Sequence, residues 1–173
     1  LKKAARALAH IATGGEANQN GVKEAGGVEL LVGLLKAEKK LEDEEVQSMV
    51  AGALAALARD NKSNQMAITE CGGIAALMKL FDSSKDQPKI DAARTLWSLS
   101  EKNEPNQMAI AKAGGVASLV AFVGIASVDG QLQASGALAS LALDNLTNQT
   151  DISEALIELL RKSNADDESR EKA

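Results

Sequence analysis

Few residues in this chain could carry covalent or metal chemistry. Its 173 residues include one His, one Cys and no Tyr. A nucleophile and its base would have to be Cys71 and His10, and a catalytic centre needs several reactive groups converging on one point. No Cys or His pair has the spacing of zinc ligands. Glycine pairs recur at Gly26–Gly27, Gly72–Gly73 and Gly114–Gly115. A glycine pair cradles phosphate only inside a longer fingerprint, and neither the P-loop nor the dinucleotide spacing surrounds these. "DQPKID" is not a calcium loop. The acidic runs "EKKLEDEE" and "ADDESRE" read as helix starts and solvated faces, where carboxylates favour the helix dipole. These residues imply no catalytic group, no metal and no cofactor.

Composition narrows the partner classes. The net charge is −5, whereas a phosphate-backbone binder needs a basic surface. Aromatics make up 2% of the chain, which removes the stacking platforms that hold single strands. A lone Cys forms no internal disulfide, so the default is a reducing compartment, cytoplasmic and/or nuclear. The longest apolar run, "VASLVAFVGIASV" at 116–128, is shorter than the ~20 residues of a membrane span. It reads as a buried helix. The chain opens on "LKKAARALAH" with neither a signal peptide nor an initiator Met, and a fragment or a processed product is expected.

The elements that position these residues follow from an internal repeat. "NQNGVKEAGGVELLVGLL", "NQMAITECGGIAALMKLF", "NQMAIAKAGGVASLVAFV" and "NQTDISEALIELL" begin at Asn18, Asn64, Asn106 and Asn148, at spacings of 46, 42 and 42. A second phrase keeps that beat around Leu8, Leu54, Leu96 and Leu138. Two unrelated phrases sharing one period of this length indicate a helical solenoid. The four extra residues of the first interval fall in the charged "KAEKKLEDEE", where an insertion is tolerated.

Each unit reads as three helices. In the second full copy a short helix covers about Asn64 to Cys71, with Asn64 capping its first turn. The glycine pair ends it, and Gly72 takes the left-handed conformation that closes the turn. Ile74, Leu77, Met78 and Phe81 then recur at i, i+3, i+4, i+7, and the loop "DSSKDQPK" leads to a third helix over about Ile90 to Ser100. Cys71 stands in the slot of Ala25 and Ala113, so it is expected to be small and buried. Met66, Met78 and Met108 are expected in the core, with Met49 left open. The units are 1–17 (partial), 18–60, 64–102, 106–144 and 148–173 (partial). The last lacks the glycine pair, which leaves open the angle between its first two helices.

This unit, "N…I..AGG(V/I)..L(V/M).L" followed by "…A…LA.LA", resembles the armadillo repeat, and "DNKSNQMAITECGGIAALMKLF" is similar to repeats of the beta-catenin type. The resemblance implies an all-α, right-handed α-α superhelix of about three full three-helix repeats with partial repeats at both ends, cut from a longer array. It implies that third helices line a concave groove that takes an extended peptide. The Trp and Asn ladder of the importin-alpha branch is missing. Its Trp slots hold Arg6, Gly52, Arg94 and Gly136, and its Asn slots hold His10, Ala56, Ser98 and Ser140.

The same alignment nominates Arg6, His10, Arg59, Asp91, Arg94, Trp97, Ser98, Glu101, Gln133 and Ser140 as groove residues. With Lys3, this face carries four basic and two acidic side chains on an acidic body, which favours a ligand with carboxylates or phosphates. Trp97 interrupts a row held by Ala9, Ala55 and Ala139. It is either a binding anchor or a ring packed over the small residues of neighbouring units. Asn18, Asn64, Asn106 and Asn148 and the six paired glycines are structural positions. The leading expectation is a non-catalytic scaffold for protein or peptide ligands, without nucleic-acid binding or membrane insertion. The alternatives are a module that stacks end to end, and the substrate-recruiting region of a larger ubiquitin-ligase-type protein.

Overall fold

The computed structural model describes residues 2–37 and 43–171, with side chains to residue 165. Among the described residues the regular structure is helical. The helices are α1 (Lys2–Ala12), α2 (Glu16–Glu24), α3 (Gly27–Lys36), α4 (Glu44–Ala58), α5 (Lys62–Glu70), α6 (Gly73–Met78), α7 (Asp86–Ser100), α8 (Glu104–Lys112), α9 (Gly115–Val123), α10 (Val128–Ala142) and α11 (Leu146–Glu171). A 3-10 turn over Lys79–Asp82 extends α6. Three successive triplets, α2–α4, α5–α7 and α8–α10, follow the lone α1. Part of the charged connection, residues 38–42, lies outside the described residues, as do the side chains of "ADDESRE" after Ala165.

The two glycines of each pair do different work. Gly72 has φ 78° and Gly114 φ 82°, a backbone conformation that costs a residue with a Cβ about 1–2 kcal/mol. Gly73 instead permits contact, because a Cβ there would stand 2.7 Å from the carbonyl oxygen of Ile68 and 2.6 Å from its Cγ2. At the third pair the chain turns by 77° between α8 and α9.

The third helices α1, α4, α7 and α10 pack side by side in chain order. Alanines make this approach possible: Ala51, Ala53, Ala58, Ala92, Ala93, Ala134 and Ala137 are completely buried. Leu54, Leu57, Leu96, Leu99 and Leu141 point from these helices into the core, where they meet Ile68, Leu77, Ile110 and Leu119 of the shorter helices. Burying one such side chain stabilises the fold by about 1.5–3 kcal/mol.

Buried polar side chains tie each unit to the next. The N-caps of α5, α8 and α11 are Asn61, Asn103 and Asn145, whose side-chain oxygens accept from the amides of Asn64, Asn106 and Asn148 at 3.0, 3.3 and 3.1 Å. This corrects the capping role assigned to the recurring Asn. Asn64, Asn106 and Asn148 lie three residues inside the helix, and their amide groups donate back to Leu57, Leu99 and Leu141 at 3.0, 2.9 and 2.9 Å. Asn18 makes the same bond to Ile11 from an exposed position, and Gly15 precedes its helix without a side-chain cap. The adjacent glutamines bridge units by donating to two third helices at once: Gln65 to Ala58 of the preceding unit at 3.2 Å and to Ser98 of its own at 2.9 Å, and Gln107 likewise to Ser100 at 3.4 Å and to Ser140 at 2.9 Å, both from buried positions.

Four further expectations change. The third helix of the second copy starts at Asp86, because Pro88 fits a first turn whose amides lack intrahelical partners. The run 116–128 is not one buried helix: α9 stops at Val123, and Ile125 and Val128 are 73% and 83% exposed. Met108 is 59% exposed, and Cys71 is half-buried. The angle left open in the last copy is also resolved: without a glycine pair, α11 runs as one helix from Leu146 to Glu171, since no residue there allows the left-handed turn or the close contact.

Candidate functional site

Residues spaced by three and four on the third helices share one face of each helix, and the side-by-side packing joins these faces into a groove. Its floor is low because Gly52, Ala55 and Ala56 of α4 stand opposite Ala7 and Ala9 of α1. Long cationic side chains rise around that floor. Lys3, Arg6, His10, Arg59 and Arg94 border a hollow of about 640 Å³, and no carboxylate lines it. A second hollow of about 330 Å³ continues the groove between Arg59, Asp60, Arg94, Trp97, Ser98, Glu101 and Gln133. Arg59 and Arg94 belong to both.

Eight of the ten nominated residues therefore border the groove. Asp91 and Ser140 do not. Asp91 is 5% exposed; one carboxylate oxygen accepts from the Ser48 hydroxyl and from Gln87 Nε2 at 3.1 Å, and the other from Arg94 Nη1 at 2.9 Å. Ser140 is 8% exposed and its hydroxyl accepts from Ser100 Oγ at 2.8 Å. Both fall on the side of the helix that meets its neighbour, because 3.6 residues per turn carry a face around the helix within two turns.

The charge of Arg94 is thereby largely committed. Asp91 holds one nitrogen, and Asp129 of α10 approaches the other at 3.9 Å. Asp129 escaped the sequence reading because it lies in the first turn of the following third helix, outside the aligned slots. Among the described residues neither Arg6 nor Arg59 stands in an ion pair, so the positive field concentrates at the α1–α4 end.

Trp97 is half-buried. A Cβ at Gly136 would stand 2.5 Å from Trp97 Cε3 and 2.6 Å from Cζ3, so the ring occupies the space the glycine leaves. The ring also walls the second hollow. Cys71 is no activated thiol: burial first, then the Glu29 carboxylate, push its pKa up, Lys36 opposes them, and Glu70 adds a smaller push upward. Thiolate chemistry requires the reverse. No group of three or more metal-ligating side chains occurs among the described residues.

No protein-family model matches the chain, and no curated protein sequence matches it. Solved structures do. An engineered protein from a structural genomics consortium superposes with a TM-score of 0.85 at 36% identity, over 93% of this chain and 64% of that one. A designed armadillo repeat protein in complex with the peptide (KR)4 gives 0.82 at 27% identity, over 94% of this chain and 66% of that one. The fold is an armadillo-repeat solenoid. Computationally designed armadillo repeat proteins for modular peptide recognition give 0.81 at 27% identity, over 92% of this chain and 66% of theirs. The chain thus spans just under two thirds of the length of these structures. Its armadillo units stack into a repeat scaffold with the groove along the third helices.

Proposed function

We propose that this solenoid is a non-catalytic scaffold that holds an extended acidic or phosphorylated segment of a partner protein along the third-helix groove. The observation that carries this reading is the α1–α4 hollow, which Lys3, Arg6, His10 and Arg59 line beside the paired Arg94 with no carboxylate among the lining residues, on a chain of net charge −5. Local complementarity of this kind steers a charged ligand and fixes its register more than it sets raw affinity. The designed relatives support peptide recognition as the use of such a groove, and the cationic lining gives this one a preference for anionic residues. The lone, unactivated Cys71 fits a reducing compartment, the cytoplasm or the nucleus.

Titrating a fluorescein-labelled acidic peptide against the chain tests the reading by anisotropy. The Arg6→Glu/Arg59→Glu variant is expected to lose affinity at least about tenfold, and added salt to weaken the parent complex. Equal binding of an uncharged peptide of the same length, or indifference to the double reversal, overturns it.

Self-association is a second reading. It is favoured by exposed leucines on α10 and at its C-cap, where Leu132 and Leu143 are 60% and 50% exposed. Light scattering across a concentration series decides it: a constant monomer mass removes the assembly reading.

A further inference from the structure

The last junction of the solenoid differs from those before it. α8 ends in a glycine pair and turns by 77° into α9. α11 has no such pair and continues as one helix, packing on α9 and α10. Between α8 and the first turns of α11 a cleft of about 510 Å³ is open. None of its lining residues belongs to either hollow of the groove.

The cleft joins an apolar patch to a negative rim. Met108 and Leu146 are 59% and 78% exposed. Glu104, Asp144 and Asp151 surround them, against one cation, Lys112, among the lining residues. None of the three carboxylates stands in an ion pair among the described residues. The repeat supplies an internal control one period earlier. There the corresponding charged slots hold Lys62, Glu70 and Lys102, Glu104 stands where Leu146 does, and Ala109 where Asp151 does. Met66, in the slot of Met108, is half-buried. The combination of exposed apolar side chains with unpaired carboxylates is thus not a product of the repeat.

We propose that this cleft is a second docking site, for a partner-protein segment that presents a bulky apolar residue flanked by lysine or arginine. The apolar residue covers Met108 and Leu146, and the flanking cations meet Asp144, Asp151 and Glu104. Exposed apolar side chains rimmed by polar ones mark interaction surfaces, and the charge pattern selects a cationic segment over an acidic one. The groove and the cleft therefore select ligands of opposite charge, and neither site depends on the other.

The test uses the whole chain, nitrogen-15 labelled, and the peptide Lys-Arg-Leu-Leu-Lys-Arg as probe. Its addition is expected to move the amide resonances of Met108, Asp144, Leu146 and Asp151. The Asp144→Asn/Asp151→Asn variant is expected to weaken binding at least about tenfold, whereas Arg6→Glu/Arg59→Glu leaves it unchanged. Asn accepts the positive φ of Asp144, so the double variant keeps the turn. If it melts lower than the parent, Met108→Ser, a change at an exposed side chain, provides the same comparison. Absence of binding, shifts confined to third-helix residues, or undiminished affinity for the Asp144→Asn/Asp151→Asn and Met108→Ser variants overturns the proposal. Because the probe is basic, failure here leaves the acidic-groove reading untouched, and failure of the acidic peptide leaves this one untouched.

Discussion

The six-membered ring of Trp97 sits where a side chain at Gly136 would be, with Cε3 only 2.5 Å from the position of a Cβ there. The bulk missing from α10 is supplied by α7, and the indole belongs to the joint between two units as well as to the groove wall. Trp97→Ala should lower stability by about 2–4 kcal/mol, because the cavity cannot fully collapse. Gly136→Ala should cost about 1–3 kcal/mol by overpacking. Urea titration of both variants checks this. A Trp97→Ala protein that unfolds at the parental midpoint would show the ring to be free for ligand alone.

The glutamine ladder predicts unequal costs for one substitution at two repeats. Gln107 is buried and donates to Ser140 of the same triplet's third helix and, at 3.4 Å, to Ser100 of the preceding one. Gln107→Ala removes both buried bonds and should cost about 1–3 kcal/mol. Gln149 is exposed and donates only to Ala142, so Gln149→Ala should fall within about 0.5 kcal/mol of the parent. Thermal melts of the two variants give the comparison, and equal losses would contradict the ladder.

Glu44 predicts an acid-limb effect. The Ser83 hydroxyl, then the Ser84 hydroxyl and Lys85, outweigh desolvation and hold its pKa down from 4.5 to about 2. A depressed carboxylate contributes stability that is fully present above its unfolded pKa. That stability is lost as pH falls from about 4.5 toward about 2. In Glu44→Gln the melting temperature should be lower than the parent near neutral pH, and the gap should close across this window. A gap that persists at the acid end would assign the effect to packing.

Lys102 predicts a gain. It stands at φ 51°, in the turn where the equivalent residues of the neighbouring units are Asp60 and Asp144, at φ 53° and 55°. Asp tolerates this conformation better than Lys does. Lys102→Gly should raise stability by up to about 1 kcal/mol, a rise of roughly 2–4 °C in Tm for a chain of this size. Asp144→Gly should gain less. Calorimetry of the pair checks the ordering.

Much of this architecture was legible as spacing. Spacings of 46, 42 and 42 residues shared by two unrelated phrases marked the succession of helix triplets, and the glycine pairs marked their bends. Such features are local: a left-handed φ or a contact between residues five apart depends on its own few neighbours. The doublet Asn–Gln was visible in all four copies but its use was not, because the partners of Gln65 and Gln107 lie 33 residues away on a third helix.

The sequence by itself therefore determined the helical repeat, the bends and the small-residue row along the third helices. The tertiary structure decided which side chains of that row remain accessible. It turned Asp91 and Ser140 into the joints, tied Arg94 to Asp91 and Asp129, laid Trp97 over Gly136, and let α11 continue as one helix, with a cleft open beside Met108. The physical reason is that helix periodicity sets the angular position of a residue on its own helix. Whether that angle faces solvent, a ligand or the next unit is set by how the neighbouring helix packs, and that packing is a property of both helices together.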